Sequence, residues 1–250
     1  MILSSYGMIK SSLKSINTSG LITYWDIQNT SSYNGTGTTV IDLDGTNNGL
    51  LVGTNLYTNT ATKYISLDST TSNYLRTTTN LNPYLSPANT STIISYFVWV
   101  YPTSNGVVVS EQGVTEPNQN WYDSQIEWIS GTPCFAVWSY TINGGAKITS
   151  SVSAGLNAWH YVGLTYDGST LRGYVNGQFA GSSTYARLTP YNNGGGVGLY
   201  YALGYPTTTK MSSSSGGSDF RLGAFHVYNR TLNTSEILNN YNATKAAYGL

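Results

Sequence analysis

Asn-Gly and Asp-Gly dipeptides recur along this 250-residue chain and divide it into segments the length of single β-strands. Both dipeptides favour the positive φ angles of tight hairpin turns. They occur at residues 34–35, 48–49, 105–106, 143–144, 167–168, 176–177 and 193–194. This spacing predicts an antiparallel all-β fold built from short strands, and a sandwich of two sheets is the architecture that suits such strands.

The clearest strands lie in residues 159–181, WHYVGLTYDGSTLRGYVNGQFAG, which read as strand, Asp-Gly turn, strand, Asn-Gly turn, strand. Val162, Leu164 and Tyr166 alternate with their neighbours, so one face of the first strand can be buried. Residues 92–102, TIISYFVWVYP, are apolar at both odd and even positions. They predict a strand that is covered on both faces or has an aromatic outer face, and proline ends it.

Only the C-terminus has the pattern of a helix. In residues 233–250, Asn233 and Glu236 have the spacing of a capping box, with asparagine in place of the usual serine or threonine. Three apolar residues then share one face of the predicted helix: Ile237, Leu238 and Tyr241. The C-terminus is therefore expected to add one short helix to the sandwich.

Charge is scarce, because only 9% of the residues are charged and the net charge is zero. Nucleic acids and anionic membrane surfaces both select lysine and arginine, so neither is expected as the main partner. No stretch of 18 apolar residues is present, and membrane insertion is not expected. The exterior should therefore consist of uncharged polar groups that hydrogen-bond by contact.

The cysteine content and the N-terminus bear on location. Cys134 is the only cysteine, so an internal disulfide is excluded, and the residue is expected to be small, buried and unreactive. The first 17 residues, MILSSYGMIKSSLKSIN, lack the continuous apolar stretch of a signal peptide. A polar exterior without an export signal fits a virion protein released by host lysis. A secreted domain without its leader is the alternative.

Four segments resemble a known family, and two of them are long and specific. Residues 159–177 read W-x-x-V-x-x-T-Y-D-G-x-x-L-x-x-Y-V-N-G, and residues 222–250 read LGAFHVYNRTLNTSEILNNYNATKAAYGL. With residues 20–51 and 93–104, they are similar to laminin-G-like domains of the concanavalin A-like lectin/glucanase superfamily, in the versions found in phage and other viral structural proteins. The resemblance implies a jelly-roll sandwich of two antiparallel sheets, one of them concave, over residues 19–250.

Residues 42–49, DLDGTNNG, resemble the start of a calcium loop. Asp42 and Asp44 would be its carboxylate ligands, with carbonyls completing the shell. An EF-hand requires a glutamate at loop position 12, which here is Gly53. Asp and Asn also cap their own backbone in tight turns, so a polar turn is favoured, with calcium as the alternative cofactor.

Catalytic machinery is not expected. Glucanases of the superfamily carry three acidic residues at alternate positions of one strand, and the nearest match is 123-DSQIE-127. Asp123, Gln125 and Glu127 occupy alternate positions, but Gln125 stands where the middle acid would be. The carboxyls of Asp123 and Glu127 would lie about 13 Å apart along the strand, which is too long for two groups that must act together. The two histidines, His160 and His226, lie in predicted strands and are expected to be structural.

Aromatic residues are the strongest indication of binding, since they make up 13% of the chain. Some are expected in the core: Trp25, Phe97, Trp99, Trp159 and Phe225. Others stand in polar surroundings and could stack on sugars or fill subunit interfaces. The predicted carbohydrate-binding residues are Trp121, Tyr122, Asp123, Trp138, Tyr140, Tyr200 and Tyr201.

The favoured function is a non-enzymatic virion structural protein, such as a capsid decoration, fibre or tail module, with weak glycan adhesion. Residues 1–18 would form an arm that contacts other virion proteins, and a homo-oligomer is expected. A secreted or surface carbohydrate-binding lectin, dependent on calcium or not, is the alternative, which places the chain outside the cell. A glycoside hydrolase is the third hypothesis.

Overall fold

The fold is seen in a computed structural model, and its description covers most of the chain. It covers residues 15–45, 47–54, 56–68, 73–84, 93–112, 122–137, 147–184, 199–205, 211 and 216–250. Within these ranges the side chains of four residues are left undescribed: Leu56, Asn82, Tyr122 and Asp123.

Short strands account for nearly all of the regular structure in these ranges. In chain order they are β1 (Leu21–Asp26), β2 (Thr39–Val40), β3 (Gly49–Val52), β4 (Leu56–Thr58), β5 (Tyr64–Leu67), β6 (Tyr74–Thr77), β7 (Ile94–Pro102), β8 (Gly106–Gln112), β9 (Tyr122–Ile129), β10 (Thr132–Phe135), β11 (Ile148–Thr149), β12 (His160–Tyr166), β13 (Thr170–Val175), β14 (Gln178–Thr184), β15 (Tyr200–Leu203) and β16 (Phe220–Tyr228). The helices in the same described ranges are α1 (Thr234–Thr244) and two 3₁₀ turns, Asn82–Tyr84 and Lys245–Tyr248.

The strands form two eight-stranded antiparallel sheets. Sheet A has the order β14-β13-β12-β7-β16-β5-β4, with β1 paired beside β5 on β16. Sheet B has the order β11-β10-β9-β8-β15-β6-β3-β2. The largest hydrophobic cluster includes residues of both sheets, such as Val98 and Phe225 from sheet A and Ile126 and Trp128 from sheet B. The predicted sandwich of two antiparallel sheets is confirmed.

Strand β7 is buried on both faces, as its apolar pattern predicts. Val98 and Val100 belong to the core between the sheets. Phe97 and Trp99 point to the other side, into a second cluster that contains residues of α1. Sheet A therefore has a third layer on its outer face, and this layer explains why both parities of the strand are apolar.

The hairpins of β12, β13 and β14 turn where the dipeptides predict. Gly168 has φ +94°, and Asn176 and Gly177 have φ +51° and +78°. Two consecutive residues with positive φ are typical of the type I′ turn that Asn-Gly favours. The strand, turn, strand, turn, strand reading of residues 159–181 is confirmed.

The Asn48-Gly49 pair is an exception, because Gly49 begins β3 and forms no hairpin turn. A Cβ at this position would lie 2.9 Å from Cδ1 of Leu75 and 3.0 Å from Cζ2 of Trp25. Glycine is needed here because the indole of Trp25 packs directly against the backbone. The prediction of a turn at 48–49 was wrong, because Gly49 lies in a strand. Glycine occupies this position because of tertiary packing and not because of a turn.

Helix α1 begins with the predicted capping box. The Asn233 side chain accepts from the Glu236 N–H, and the Glu236 carboxylate accepts from the Asn233 N–H. Ile237 is fully buried, but Leu238 is 44% exposed. The prediction that both share one apolar face of the helix was therefore partly wrong. The next residues fold back as a 3₁₀ turn, and the Tyr248 ring stacks on Trp99 at 4.1 Å.

The described end of the predicted arm packs on its own domain. Ile16 joins the cluster on the outer face of sheet A. The Asn17 backbone N–H donates to Oδ1 of Asn240 at 2.7 Å, and its side chain donates to Glu236 at 2.7 Å. Residues 1–14 lie outside the described residues, so the contact of this arm with a partner stays a prediction. Within the described ranges, no helix has the length and apolar character needed to span a bilayer.

Candidate functional site

Most residues of the predicted carbohydrate site lie at or beyond the ends of strands in sheet B. Trp121, Trp138 and Tyr140 lie outside the described residues. Tyr122 and Asp123 are the first two residues of β9, and only their backbone is described. For these five residues, ligand contact therefore stays a prediction.

The backbone register brings two predicted positions onto the two strands that flank β8. Gln112, the last residue of β8, pairs with Tyr200 of β15 on one side and with Tyr122 of β9 on the other. The Gln112 side chain is 1% exposed, and neither its Nε2 nor its Oε1 has a hydrogen-bond partner among the described residues. Tyr200 is partly exposed beside it. This row at the end of sheet B is the part of the predicted surface that the structure brings together.

Tyr201 does not belong to that surface. It is fully buried, and its ring centroid lies 5.0 Å from that of Tyr96 and 5.9 Å from that of Phe225. Successive side chains of a strand point to opposite faces, so Tyr200 and Tyr201 cannot share one. The assignment of Tyr201 as a sugar contact was wrong because the residue fills the core.

The Asp42 turn is tied to the edge of β1. Asp42 is 4% exposed; its Oδ1 accepts from the Tyr24 N–H at 2.7 Å and the Asp44 N–H at 3.1 Å, and its Oδ2 accepts from the Asn47 N–H at 3.0 Å. The Asn47 side chain donates to the carbonyl of Ile22. These bonds cover the open edge of β1, as a polar turn should.

The two Asp42 carboxylate oxygens are arranged to accept hydrogen bonds from backbone amides rather than to bind calcium. Asp44 is exposed, and no group of three His, Cys, Asp or Glu side chains that could hold a metal occurs in the part of the chain that the structure describes. Calcium requires six to eight oxygen ligands, whereas both Asp42 oxygens already accept N–H groups. The contacts support the turn interpretation, and calcium at Asp42 and Asp44 stays an untested alternative.

The acidic residues of β9 do not form the pattern of a glucanase. An irregularity in the pairing of β8 with β9 interrupts the alternation at Gln125. Oε1 of Gln125 accepts from the Tyr96 hydroxyl at 3.1 Å, whereas Oε1 of Glu127 accepts from the Met211 N–H at 2.6 Å. Glu127 is fully buried. The alternate positions of Gln125 and Glu127 in the sequence therefore do not put the two side chains on one face, since a bulge reverses the parity of the strand.

Both histidines have structural contacts. A ring nitrogen of His160, Nε2, lies 2.9 Å from the carbonyl oxygen of Gly155. His226 is fully buried, and its Nδ1 lies 3.2 Å from the Tyr161 hydroxyl. Burial lowers the pKa of both, that of His226 to about 3, so His226 is neutral at physiological pH. Cys134 is buried as well, and burial raises the pKa of its thiol.

A cavity of about 400 Å³, lined by both polar and apolar side chains, lies between sheet A and α1. Asp26 lines it, and its carboxylate accepts from the Tyr24 hydroxyl at 3.2 Å and the Gln28 N–H at 3.0 Å. Burial raises the pKa of Asp26. These polar groups bond to one another, so the cavity is a weaker candidate than the surface beside it.

That surface is an aromatic strip on sheet A next to Tyr248, which consists of Tyr64, Tyr101, Trp159 and Arg221. The carbon at the centre of the Arg221 guanidinium lies 4.9 Å from the centroid of the Tyr64 ring and 4.5 Å from that of Tyr101. The Trp159 ring lies 5.7 Å from Tyr101 and 6.3 Å from Tyr64. All four side chains are partly exposed.

Neighbouring strands of sheet A build the aromatic strip. Arg221 of β16 pairs with Tyr101 of β7, Tyr64 begins β5 on the other side of β16, and Trp159 precedes β12. The Trp159 ring also lies 4.8 Å from that of Tyr248, and Trp159 packs against the second hydrophobic cluster while remaining partly exposed. The core position predicted for Trp159 is therefore only partly correct. The four residues are spread over 158 positions, so only cross-strand register could have revealed the cluster.

Comparison with known families supports the resemblance seen in the sequence. A family model described as "Concanavalin A-like lectin/glucanases superfamily", a laminin-G type, matches residues 68–238, more than half of the chain. The chain belongs to this superfamily. A comparison with curated proteins found no significant match.

Solved structures with a similar fold are binding domains of clostridial toxins. The binding domain of Paraclostridial Mosquitocidal Protein 1 has a TM-score of 0.59 at 17% identity, covering 90% of this chain and 52% of that one. The binding domain of botulinum neurotoxin DC in complex with SialylT has a TM-score of 0.60 at 14% identity, covering 90% and 51%. The superfamily member described here thus spans about half the length of these structures, and its fold is that of a lectin-like binding domain.

Proposed function

We propose that this chain is a non-enzymatic adhesion module that binds glycans through the aromatic strip of sheet A. The observation that carries the proposal is the partly exposed set of three aromatic rings around Arg221. Tyr and Trp combine a flat apolar face with a hydrogen-bonding group and lose little entropy on binding.

The chemistry of the strip suits a saccharide. Pyranose rings present C–H patches that pack on aromatic faces, and their hydroxyls need donors and acceptors at the rim. Tyr64, Tyr101 and Trp159 supply the faces, while the tyrosine hydroxyls and the Arg221 guanidinium supply polar groups. One such surface binds weakly, and a repeated copy of the module would gain strength through avidity.

Two structural relatives support this proposal by what their titles state. One describes a binding domain in complex with SialylT, and another states that cell entry of botulinum neurotoxin type C depends on two ganglioside molecules. At 14% and 16% identity these likenesses concern the fold alone. They make a sugar the first ligand class to test.

The direct test is a glycan array followed by NMR titration of the best ligand with wild type and Tyr64→Ala. We expect the variant to lose about tenfold in affinity, because a stacked ring is worth roughly 0.5–1.5 kcal/mol beyond its area burial. Tyr84→Ala is the matched control, since Tyr84 is a 40% exposed tyrosine outside the strip. A silent array, or equal loss in both variants, would contradict the proposal.

The row at the end of sheet B is tested in parallel. Tyr200→Ala should leave binding unchanged if the aromatic strip is the main surface. Loss of binding in Tyr200→Ala with normal binding in Tyr64→Ala would instead move the site to Tyr200 and the residues predicted near it. Addition of calcium or of a chelator in the same titration distinguishes a calcium-dependent lectin from one that needs no metal.

We propose a virion surface as the setting for this adhesion. The near absence of charge and the resemblance to phage versions of the family support this setting. Mass spectrometry of purified particles should detect the chain, and its presence only as free protein in the medium would contradict the proposal. Hydrolysis of a β-glucan by wild type and not by Glu127→Gln would contradict the non-enzymatic part.

A further inference from the structure

We propose that the aromatic strip selects acidic sugars, and that Arg221 binds their carboxylate group. This inference rests on the proposed glycan-binding function and adds the ligand class to it. Arg221 is the cation of the strip, and its contacts distinguish it from an ordinary surface arginine.

The guanidinium is held between two rings. Its central carbon lies 4.9 Å from the Tyr64 centroid and 4.5 Å from the Tyr101 centroid. Tyr64 lies at the start of β5 and Tyr101 lies opposite Arg221 on β7, so both rings are positioned by strands. Stacking orients the planar guanidinium before any ligand arrives, which lowers the entropy lost on binding.

The donors of this guanidinium are unused. Arg221 forms no side-chain hydrogen bond and no ion pair in the described part of the chain, although the other partly buried arginines Arg172 and Arg230 pair with Asp167 and Glu236. The side chain is also partly exposed, so a ligand can reach it. A stacked, accessible and unpaired arginine offers up to five N–H donors to an anion.

A carboxylate matches this arrangement better than other groups. Two parallel N–H groups of a guanidinium bind the two oxygens of a carboxylate in one plane, and such bonds are about twice as strong as neutral ones. A carboxylate attached to a pyranose would bring the sugar ring beside the Tyr101 and Trp159 rings, which are 5.7 Å apart. Neutral sugars would use the same rings without the charged bond.

The charged residues nearest to the strip in sequence have contacts of their own. Lys63 lies next to Tyr64 in sequence, and its Nζ donates to the carbonyl of Gln28. Asp219, two residues before Arg221, does not form an ion pair with it. Arg221 is the charged side chain of the strip itself, and its guanidinium favours an anionic ligand over a neutral one.

The experiment titrates the full chain with 3′-sialyllactose, its carboxyl methyl ester and lactose, with 6-sulfolactose as a fourth ligand. Wild type, Arg221→Gln and Arg221→Lys are compared by NMR, and thermal melts confirm that each variant is folded. We expect wild type to bind sialyllactose about tenfold more tightly than lactose or the ester, since hydrogen bonds to charged groups contribute about 1.5–3 kcal/mol.

Arg221→Gln should abolish this preference, because its affinity for sialyllactose falls about tenfold more than its affinity for lactose. Arg221→Lys should restore only part of the preference, because lysine lacks the planar fork. Equal affinity of wild type for the acid and its ester overturns the inference but leaves glycan binding intact. Preference for the sulfated ligand, or an equal loss of affinity for sialyllactose and lactose in Arg221→Gln, also overturns it. Absence of binding to all four ligands rejects the inference and the proposed function together.

Discussion

Asp42 holds the edge of a sheet through one carboxylate. Its two oxygens accept three backbone N–H groups, from Tyr24, Asp44 and Asn47. The first of these belongs to β1, and the others belong to the turn itself. A side chain that satisfies donors on both segments fixes the distance between them, so the turn and the strand edge depend on one residue.

We expect Asp42→Ala to lower the free energy of unfolding by about 3 kcal/mol, because it leaves buried N–H groups without an acceptor. Asp44→Ala is the matched control and should cost less than about 0.5 kcal/mol, since Asp44 is exposed. Urea unfolding in calcium and in chelator measures both values. Stabilisation of wild type by calcium that is absent in Asp42→Ala would favour the metal interpretation.

His226 makes stability depend on pH. Burial lowers its pKa from the ordinary value of 6.5 to about 3. Between these values the unfolded chain binds a proton that the folded chain does not, so the free energy of unfolding falls as the pH falls. The contribution is fully present above pH 6.5 and is lost progressively towards pH 3.

His226→Phe removes this contribution and should flatten the stability profile between pH 6 and 4.5. A single group contributes a slope of up to about 1.4 kcal/mol per pH unit, so the two profiles should differ by about 1 kcal/mol per unit. Wild type and His226→Phe must be compared because burial also raises the pKa of Asp26. A raised carboxyl pKa makes the free energy of unfolding rise as the pH falls, which is opposite to the effect of His226. Urea unfolding across this range measures the slopes, and parallel profiles would contradict the prediction.

Strand β12 shows how an element depends on a residue without a side chain. Gly163 lies opposite Phe97 of β7, and a Cβ at Gly163 would overlap that ring and the carbonyl oxygen of Tyr96. The Phe97 ring stacks on that of Tyr161 from the same strand as Gly163, at 5.1 Å. Glycine therefore makes room for an aromatic layer above the strand.

Gly163→Ala should destabilise the protein by about 2–3 kcal/mol, because backbone and ring must both shift to relieve the overlap. Gly155→Ala is the control, since a Cβ there meets no atom within 4 Å. That variant should be neutral or slightly stabilising, because alanine restricts the unfolded chain. Thermal and urea unfolding measure the difference, and similar effects in both variants would refute it.

The molecule as a whole has three layers, because the C-terminal segment covers the outer face of sheet A. Phe97, Trp99 and Tyr161 are fully buried beneath it, and Tyr248 stacks on Trp99. This cover leaves the aromatic strip at its border. Outer positions of sheet A are thus divided into a buried part under α1 and a partly exposed part around Arg221.

Two neighbouring residues of α1 test whether this cover belongs to the cooperative fold. Ile237 is fully buried and Leu238 is 44% exposed. Ile237→Ala should cost about 2–4 kcal/mol, as buried large-to-small substitutions do, and Leu238→Ala should cost less than about 1 kcal/mol. Equal and small effects in urea unfolding would mean that the helix contributes little to global stability.

Local signals predicted much of the fold. The Asn-Gly turn at 176–177, the capping box of Asn233 and Glu236, and the two-sided apolar strand 94–102 follow from positive φ, from hydrogen-bond geometry and from apolar content, and all are present in the structure. Each depends on residues a few positions apart. The position of Tyr201 was missed because a strand pattern alone does not say which face meets the core.

The sequence by itself determined the two-sheet sandwich, the hairpins and the capped C-terminal helix, because these follow from steric and hydrogen-bonding preferences of adjacent residues. Tertiary structure alone decided which aromatic residues surround Arg221 and which fill the core. Tyr64, Tyr101, Trp159 and Arg221 meet only through cross-strand register. Register is set by the packing of the whole sandwich, since each strand must present its apolar face to the same core.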